Sequence, residues 1–498
     1  MTRAAPPQLE DRETAAAVRR VFDDAGYDAG RIQERLGTSD RSLAEGPDRP
    51  VYLRRLGEAD PLALLLRVFL LDTAVEQASA ERLLGRDARE LLERAGLLTV
   101  DDDDLLDGTV RIVPHEQLLI ASDRFAAGHP DHVAAVHGPS ATLAHLTVRR
   151  RVSSALDVGT GNGVQALLAA AHADRVVATD LNDRALAFTG FNAALNGIDN
   201  VELRAGSFFE PVAEERFELV VTNPPYVISP ESSFLFRDSG LPKDAVSEQV
   251  VRALPAHLAE GGHGSVMISW VQRTGETTER PVAWLEGSGC DALIVHTGSD
   301  EPLSIAAQWN RDVRSDAGAY AAAIDRWLDY FAREGIDQIA FGCVVLRRRT
   351  AADSRPNWIR ATRLPTRRLE PAAAQLEQIF AAHDFIAGLG DERQLLDERL
   401  AVAENVAVEQ ELRLGEGGWG LREASIAIRT GMRFSAGLDD VTTALVLGLD
   451  GSRTVREALP DPSGQHGRDE LDEIGVRVAR QMLEVGFLRR VESAPKPS

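Results

Sequence analysis

Cysteine and lysine are both scarce in this sequence. Cys290 and Cys343 are the two cysteines among 498 residues, and Lys243 and Lys496 are the two lysines among 55 basic residues. Two thiols exclude a disulfide-rich scaffold and any zinc site built from four thiolates. The positive charge is therefore carried almost entirely by arginine.

Long hydrophobic runs are also missing. Residues 1–20, MTRAAPPQLEDRETAAAVRR, contain no apolar run of the kind that marks a secretory signal. The longest apolar stretch, from Pro61 to Val75, is interrupted by Arg67 and Asp72 and is too short to span a bilayer. We therefore expect a cytoplasmic protein that has no membrane partner.

Negative charge exceeds positive charge. The chain has 77 Asp and Glu against 55 Lys and Arg, a formal net charge of -22. Hydrophobic residues at 44% and charged residues at 27% are typical of globular proteins, and the length corresponds to about three domains of ~150 residues. The acidic balance argues against a general nucleic-acid coat protein, because phosphate neutralisation needs a basic surface. A local basic site stays compatible with it.

Residues 1–125 predict a helical N-terminal domain that ends in a hairpin. The predicted elements are helices at 61–77, 79–84 and 86–97, followed by strands at 110–113 and 117–122. This order is typical of a winged helix, whose third helix contacts DNA. Four adjacent carboxylates, Asp101–Asp104, precede the hairpin and would repel a phosphate backbone. A protein-contact or substrate-recognition module is therefore favoured over DNA binding.

Residues 126–350 alternate short apolar strands with segments of helical length, which predicts a doubly wound, mostly parallel α/β sheet. The seven predicted strands are Ala155–Val158, Arg175–Thr179, Val201–Arg204, Leu219–Thr222, Ser265–Trp270, Ala292–His296 and Ile339–Leu346. A long insertion at 298–335 separates the last two strands. We expect its Trp309–Arg311 segment to cap a ligand pocket as part of a lid; the alternative is a helix packed on the N-terminal domain.

The remaining chain divides into a linker and a third domain. Residues 351–369 are rich in Pro, Arg and Asp and predict a linker, and residues 370–498 predict a mainly helical domain. Within it, residues 391–424 hold nine acids against four Arg, which indicates a solvated acidic face. The pattern at 441–488 is again winged-helix-like.

A glycine-rich turn follows the first predicted strand. Asp157 lies just before it, and the turn itself is Gly159-Thr160-Gly161-Asn162-Gly163. Glycines at this place allow a tight turn and close approach of a ligand. The third glycine comes one residue too early for a dinucleotide fingerprint, and the chain has no phosphate-binding loop of the Walker type.

A second acid accompanies this turn. Asp180 ends the second predicted strand, 23 residues beyond Asp157. A carboxylate at that position can accept both hydroxyls of a ribose. The alternative role for Asp180 is the N-cap of the following helix.

This pattern, D-x-G-x-G-x-G followed by an acid that ends the second strand, resembles the class I S-adenosyl-L-methionine-dependent methyltransferases. The resemblance implies that the glycine turn passes the amino-acid part of the cofactor, that Asp180 holds its ribose, and that Ser207 and Phe208 flank its adenine. It implies a Rossmann-like seven-stranded methyltransferase domain flanked by N- and C-terminal mainly helical, winged-helix-like domains. The implied cofactor-binding residues are Thr142, Asp157, Gly159, Gly161, Gly163, Asp180, Asn182, Ser207, Phe208 and Asn223.

The fourth predicted strand ends at the tetrapeptide Asn223-Pro224-Pro225-Tyr226. Two consecutive prolines fix φ twice and make a stiff loop at the edge of the sheet where ligands bind. The Asn223 side-chain oxygen and the Pro224 carbonyl can accept hydrogen bonds at one spot, and Tyr226 offers a flat face. Two acceptors beside an aromatic plane suit a planar –NH2 group, which stacks while it donates two hydrogen bonds. Asn223, Pro224 and Tyr226 are the predicted catalytic residues.

The tetrapeptide and the cofactor pattern together resemble the methyltransferases that modify planar nitrogens, over about Gly138 to Trp270. These include protein-glutamine amide methylases, adenine N6-methylases and guanine N2-methylases. In the glutamine methylases a Pro-Arg-x-x-Thr-Glu segment precedes the glycine turn; here Thr142 matches, whereas the Arg and the Glu are absent. The segments 227–231 and 238–241 resemble the loop that follows the tetrapeptide in the protein-methylating relatives.

Three readings of the function follow. The first is methylation of a protein or peptide amide, and the second is methylation of an RNA or DNA base amine. The third is a winged-helix regulator that senses the cofactor, for which the tetrapeptide would not be needed. No metal is expected, although His129, His132, His137 and His145 lie close together in sequence, because there is no H-E-x-x-H helix and there are too few cysteines.

Overall fold

The computed structural model describes residues 5–38, 48–57, 59–124, 129–231, 241–311, 313–365, 369–415, 418–462 and 466–491. The chain divides into two compact units. The first unit comprises Met1–Ala144, Arg150–Ala352 and Asn357–Ala361, and the second comprises His145–Arg149, Asp353–Pro356 and Thr362–Ser498. The three domains expected from the sequence, with boundaries near residues 125 and 350, stay predictions.

Helices dominate the beginning of the chain. The elements described up to residue 124 are α1 (Arg12–Asp24), α2 (Ala29–Leu36), α3 (Arg49–Arg55), α4 (Pro61–Phe69), β1 (Val75–Glu76), α5 (Gln77–Leu84), α6 (Arg86–Arg94), β2 (Leu98–Val100), β3 (Leu105–Gly108), β4 (Val110–His115) and β5 (Leu118–Asp123). Helix α4 begins at an N-cap, because an Asp60 side-chain oxygen accepts a hydrogen bond from the Ala63 N–H at 2.7 Å. It ends at Phe69, so the prediction of one helix from 61 to 77 is wrong in its second half. Asp72 has a φ of +46°, which a continuing helix does not allow.

The described residues up to 124 form two hairpins where the sequence predicted one. Strands β1, β2 and β3 form a small sheet, and β4 and β5 form a separate two-stranded sheet. Asp101–Asp104 form the turn between β2 and β3, where an Asp101 carboxylate oxygen accepts the Leu105 N–H at 2.9 Å. The acidic run is therefore the tip of the first hairpin, and not the connection before the wing. The winged-helix assignment itself stays a prediction.

The central part of the chain forms one large sheet with helices. Its elements are α7 (Gly138–His145), β6 (Val152–Val158), α8 (Val164–Ala170), β7 (Ala173–Asp180), α9 (Asp183–Leu195), β8 (Val201–Ala205), β9 (Phe217–Thr222), α10 (Ala245–Ala253), β10 (Leu258–Gln272), α11 (Glu279–Leu285), β11 (Cys290–Asp300), α12 (Pro302–Trp309), α13 (Ala317–Glu334), β12 (Gln338–Arg348) and β13 (Ile359–Arg363). The strand order is β13-β11-β12-β10-β9-β6-β7-β8. All seven predicted strands are confirmed. The eighth, β13, lies at the sheet edge and comes from the segment predicted to be a linker.

Strand pairing aligns the loops that matter for a ligand. Strand β6 pairs in parallel with β7 on one side and with β9 on the other. Strands β7 and β8 therefore extend the sheet in one direction from β6, and β9 and β10 extend it in the opposite direction. Val158 is the register partner of Thr179 on one side and of Thr222 on the other. The residues that follow these three positions therefore leave the sheet at one level. Open α/β sheets bind ligands at this kind of switch point.

Helix α9 shares a hydrophobic core with the N-terminal helices. Phe188 and Phe191 are buried in one cluster with Phe22 and Phe69. The Asn192 side chain donates to the Ala121 carbonyl at 2.8 Å and accepts the Ala121 N–H at 2.8 Å, which fastens β5 to the helix. These contacts explain why the N-terminal segment and the large sheet belong to one compact unit.

The second unit contains more strands than the sequence predicted. Its elements are α14 (Ala373–Ala387), β14 (Arg399–Val402), β15 (Val406–Gly415), β16 (Gly418–Ile428), β17 (Ser435–Leu438), α15 (Asp440–Gly448), β18 (Asp450–Thr454), α16 (Val455–Ala458), α17 (Arg468–Val485) and β19 (Leu488–Arg490). They form two three-stranded sheets, ordered β18-β14-β19 and β15-β16-β17. Part of the acidic stretch is a β-ribbon, in which Glu411 pairs with Arg422 at 2.5 Å. In neither unit does a described helix have the length and apolarity needed to cross a membrane.

Candidate active site

A cavity of about 300 Å³ lies where β6, β7 and β9 end. Its walls come from the glycine turn after β6, residues 180–182 after β7, residues 206–208 after β8 and residues 223–225 after β9, with residues 132–140 completing them. Cavities of this size are at the lower end of those that hold small ligands. The predicted site residues that line it are Asp157, Gly159, Gly161, Asp180, Asn182, Ser207, Phe208, Asn223 and Pro224.

The three glycines of the turn have different reasons to be glycine. Gly159, Gly161 and Gly163 all have positive φ, at +70°, +59° and +83°. A Cβ at Gly159 or Gly161 would meet nothing within 4 Å, whereas one at Gly163 would lie 2.8 Å from Thr189 Cγ2. Gly159 and Gly161 therefore keep the cavity side of the turn open. Gly163 does not line the cavity, and it allows the turn to pack on α9 at the start of α8.

Asp157 is buried beneath the turn. One of its carboxylate oxygens accepts the Thr160 hydroxyl at 2.7 Å and the Ala166 N–H at 3.0 Å. Burial raises the pKa of the Asp157 carboxyl to about 7, and the negative charge of Asp180 adds to the shift, while the two hydrogen bonds oppose it. The carboxyl therefore joins the turn to α8 and is partly protonated near neutral pH.

The raised pKa of Asp157 predicts a pH-dependent stability in the protein without cofactor. The folded state holds a proton on Asp157 up to about pH 7, whereas the unfolded state loses it near 3.8, the ordinary pKa of an aspartate side chain. Stability is then greatest at low pH and falls as pH rises toward 7. Between pH 5 and 8 we expect a loss of about 2–3 kcal/mol from this group. Urea unfolding at both pH values should show a smaller loss for Asp157→Asn than for the wild type, and equal losses would contradict the assignment.

Asp180 connects the ends of two loops. One carboxylate oxygen accepts the Gly161 N–H at 2.9 Å, and the other accepts the Asn182 N–H at 2.9 Å. Burial raises the pKa of this carboxyl, while these two hydrogen bonds lower it. The N-cap of α9 is Asn182, whose side chain accepts from the Arg184 N–H at 3.0 Å. Asp180 is thus not the cap, and its carboxylate holds the glycine turn beside the cavity.

The loop after β8 has an unusual backbone at the cavity wall. Phe208 has a φ of +44°, a region that side chains other than glycine rarely adopt. Its carbonyl accepts the Thr179 hydroxyl at 3.2 Å, and the Gly206 N–H donates to the Asp180 carbonyl at 3.0 Å. These bonds hold Ser207 and Phe208 against the cavity. Backbone strain of this kind is common at ligand sites.

The tetrapeptide places an acceptor at the cavity. The Asn223 side-chain oxygen is buried, and no donor of the described chain lies within hydrogen-bonding distance of it. The Pro224 carbonyl accepts the Tyr226 N–H at 2.8 Å and keeps a second lone pair. A buried carbonyl oxygen without a donor is costly. Its presence beside a cavity therefore indicates a ligand that supplies the donor.

Tyr226 and Thr142 do not lie where the sequence suggested. Tyr226 is 8% exposed and is not among the described residues that line the cavity. Burial raises the pKa of its hydroxyl, and its carbonyl accepts the Ser269 hydroxyl at 2.5 Å. Thr142, on α7, is also absent from the described lining, where α7 contributes Ser140 instead. The stacking role of Tyr226 stays a prediction.

One wall of the cavity was missed by the sequence reasoning. The backbone of residues 131–134 is held over the cavity by two amide side chains: Asn182 donates to the Asp131 carbonyl and Asn162 to the Ala134 carbonyl, both at 2.9 Å. Asp123 accepts the Val133 N–H at 2.8 Å. This segment has no regular secondary structure and little periodicity, so its own sequence does not predict its position. The sequence feature that could indicate a neighbouring backbone segment is the pair of asparagines in the loops after β6 and β7.

In the described ranges, no group of three or more His, Cys, Asp or Glu side chains is arranged to hold a metal ion. His132 and His137 line the cavity. His137 Nδ1 lies 3.2 Å from the Ser140 hydroxyl.

The comparison with protein families identifies the central segment. Residues 125–274 match the family described as methyltransferase small domain. This match confirms the class I methyltransferase fold that the sequence predicted for that part of the chain. Residues 24–108 and 377–490 match two domains of unknown function, DUF7059 and DUF7782.

Curated relatives resemble the same central segment. The chain is 34% identical over 145 residues to the release factor glutamine methyltransferase of Xylella fastidiosa, covering 26% of this chain and 50% of that protein. It is 33% identical over 160 residues to the ribosomal protein uL3 glutamine methyltransferase of Bradyrhizobium diazoefficiens, covering 28% and 48%. It is 42% identical over 88 residues to the release factor glutamine methyltransferase of Aliivibrio fischeri, covering 17% and 30%. The chain thus spans half the length or less of these relatives.

Solved structures with a similar segment include a ribosomal protein L11 methylase from Lactobacillus delbrueckii. It is 20% identical to this chain, and the likeness covers 42% of this chain and 80% of that one with a TM-score of 0.25. A methyltransferase of Streptococcus mutans in complex with SAH is 14% identical, covering 43% and 99% with a TM-score of 0.26. At such TM-scores these likenesses carry no argument.

Proposed function

We propose that the chain is an S-adenosylmethionine-dependent methyltransferase that acts on the planar amide nitrogen of a protein or peptide side chain. The observation that carries the proposal is the Asn223 side-chain oxygen, a buried acceptor without a donor among the described residues. Asn223 lines the same cavity as the glycine turn and Asp180. A site that only sensed the cofactor would have no use for this acceptor.

The residues of the cavity fit the cofactor. Gly159 and Gly161 leave open space on the cavity side of the turn. The Asp180 carboxylate uses each oxygen once for a backbone N–H, and it keeps lone pairs for two hydroxyl groups. When bound, S-adenosylmethionine supplies the methyl group. Asp180 would hold its ribose, and Ser207 and Phe208 would lie beside its adenine.

The tetrapeptide would orient the substrate. A side-chain amide presents two N–H donors, and Asn223 Oδ1 and the Pro224 carbonyl offer two acceptors. Both N–H bonds are then fixed, so the face of the nitrogen is aimed in one direction. Holding two reacting groups in this way replaces a bimolecular encounter and supplies a large part of the rate enhancement. The Tyr226 N–H contributes by fixing the Pro224 carbonyl.

Charge favours a protein substrate over a nucleic acid. The described lining of the cavity contains the carboxylates Asp157 and Asp180 and neither Lys nor Arg. Phosphate-bearing substrates need basic side chains near the site. The names of two curated relatives, which refer to glutamine in release factors and in a ribosomal protein, support an amide as the acceptor. The Arg and the Glu of the Pro-Arg-x-x-Thr-Glu segment are absent around Thr142. The identity of the protein that is methylated is therefore determined by experiment.

Methyl transfer into a cell lysate tests the substrate class. The full chain is incubated with methyl-labelled cofactor and lysate, and the products are treated with nuclease or with protease. We expect the label to survive nuclease and to be lost on protease treatment, and its formation to change little between ~50 and 200 mM salt, because few phosphates are neutralised. Asn223→Ala serves as the background control. Label in RNA or DNA fragments would instead support methylation of a base amine.

A further inference from the structure

The described part of the insertion between β11 and β12 does not line the cavity. Among the residues that the structure describes, none from 302 to 334 lines it. Trp309 packs against a hydrophobic cluster, and Asn310 is 5% exposed and donates to the Ala306 carbonyl at 2.8 Å. The predicted lid is therefore wrong for this segment. The insertion packs instead against residues 227–228 of the loop that follows the tetrapeptide.

Apolar contacts join the insertion to that loop. Ile228 is 2% exposed and belongs to one cluster with Ile305 of α12 and with Trp327 and Phe331 of α13. Val227 packs against the same cluster. The two residues directly after Tyr226 are thus held by helices that the seven-stranded fold does not require.

Polar contacts fix the same loop to α13 at two places. Glu231 accepts a hydrogen bond from the Trp327 indole N–H at 3.1 Å and one from Arg326 at 2.7 Å. Further along the chain, the Lys243 N–H donates to the Tyr330 hydroxyl at 3.2 Å, and Lys243 Nζ lies 3.2 Å from a Glu334 carboxylate oxygen. Helix α13 therefore holds the chain on both sides of residues 232–240.

We propose that α13 is a positioning platform for the tetrapeptide, and that Glu231 and Trp327 are its principal positioning residues. The inference rests on the proposed function. The tetrapeptide Asn223–Tyr226 is attached at its N-terminal end to strand β9. At its C-terminal end it continues into residues 227–231. If that segment moves, the Pro224 carbonyl moves with it, because it is bonded to the Tyr226 N–H. A displacement of about 1 Å at a reacting group can cost ~100-fold in rate.

The hydrogen bond between Glu231 and the Trp327 indole should contribute more than the ion pair between Glu231 and Arg326. Trp327 is fully buried, and the Glu231 side chain is 19% exposed, whereas Arg326 is 54% exposed. Exposed ion pairs contribute little, while a buried indole N–H that loses its acceptor is costly. The indole contact, and not the ion pair, should therefore fix the loop.

Two measurements test the platform in the full chain. Hydrogen–deuterium exchange reports on the backbone amides of 226–231, and methyl transfer to the protein acceptor found in lysate reports on turnover. We expect Glu231→Ala to increase exchange in 226–231 and to lower kcat by about 10- to 100-fold, with cofactor affinity unchanged. Glu231→Gln keeps an acceptor for the indole and should stay within about threefold of the wild type. Asp325→Ala, which removes an exposed acid of the same helix, is the matched control.

A double-mutant comparison separates positioning from general loss of structure. Trp327→Phe should resemble Glu231→Ala in exchange and kcat, and combining the two should add little, because both remove the hydrogen bond between the Trp327 indole and Glu231. The ion pair with Arg326, which Glu231→Ala also removes, is exposed and contributes little. Unchanged exchange in 226–231, or increased exchange without a fall in kcat, would overturn the proposal. A wild-type protein that labels no acceptor would refute the proposed function, and the exchange data would still show whether α13 holds the loop.

Discussion

Asn223→Ala is expected to lower methyl transfer by about 10²- to 10³-fold, the loss typical when one positioned polar group at a reacting centre is removed. The side-chain oxygen of Asn223 is buried on the cavity and has no donor among the described residues. A substrate amine bound in the cavity would supply the missing donor. Cofactor affinity should change little, because the carboxylate and the glycine turn that would hold the cofactor are untouched.

Asn223→Asp is the informative companion variant. It keeps an acceptor oxygen in nearly the same place, replaces the side-chain NH2 by a second oxygen and adds a negative charge. We expect it to retain more activity than Asn223→Ala, because the acceptor for the substrate amine is kept. Single-turnover rates and calorimetric cofactor binding measure the two effects separately. Normal turnover of Asn223→Ala on its acceptor would mean that the tetrapeptide has only a structural role.

Asp180→Ala is expected to weaken S-adenosylmethionine binding by about 1–3 kcal/mol, which is the cost of leaving hydrogen-bonding groups without partners. Two causes add together. The ribose hydroxyls lose their acceptor, and the Gly161 and Asn182 N–H groups lose the carboxylate that holds the turn in place. Isothermal titration calorimetry with the purified protein measures the difference.

Asp183→Ala is the matched control for Asp180→Ala. Asp183 is an exposed acid in the first turn of α9, three residues from Asp180, and it does not belong to the described cavity lining. Both variants remove one negative charge from the same region. Equal cofactor affinity in the two variants would contradict the ribose assignment of Asp180.

The sequence predicted the central sheet well because its inner strands are buried on both faces. Segments such as Val176–Ala178 are continuous apolar runs between turn residues, and this signal does not depend on distant contacts. The strand ends then placed Asp180 and Asn223 correctly at one edge, since parallel strands share it. The loop chemistry of the cavity was therefore accessible from chain order alone.

The remaining features depend on tertiary contacts that leave no local pattern. Tyr226 is buried in the folded chain, and the four-residue motif alone does not predict this burial. The cavity wall at 131–134 is irregular, and two of the side chains that hold it, Asn162 and Asn182, are 28 and 51 residues away in sequence from their partners. In the second unit, β15 and β16 carry many charged residues because much of their surface faces solvent, and this hid their strand pattern.

The most direct test of amide methylation is the chemical form of the transferred methyl group. The labelled protein from lysate is purified and hydrolysed in strong acid, which cleaves amides. An N-methylated side-chain amide releases its label as methylamine, which becomes volatile once the hydrolysate is made alkaline, whereas methylated arginine, lysine or histidine keeps the label in a non-volatile amino acid. We predict that the label is recovered as methylamine from the wild-type reaction and is absent from the Asn223→Ala reaction. Label that stays in an amino acid, or that appears in a nucleoside, would contradict the central claim.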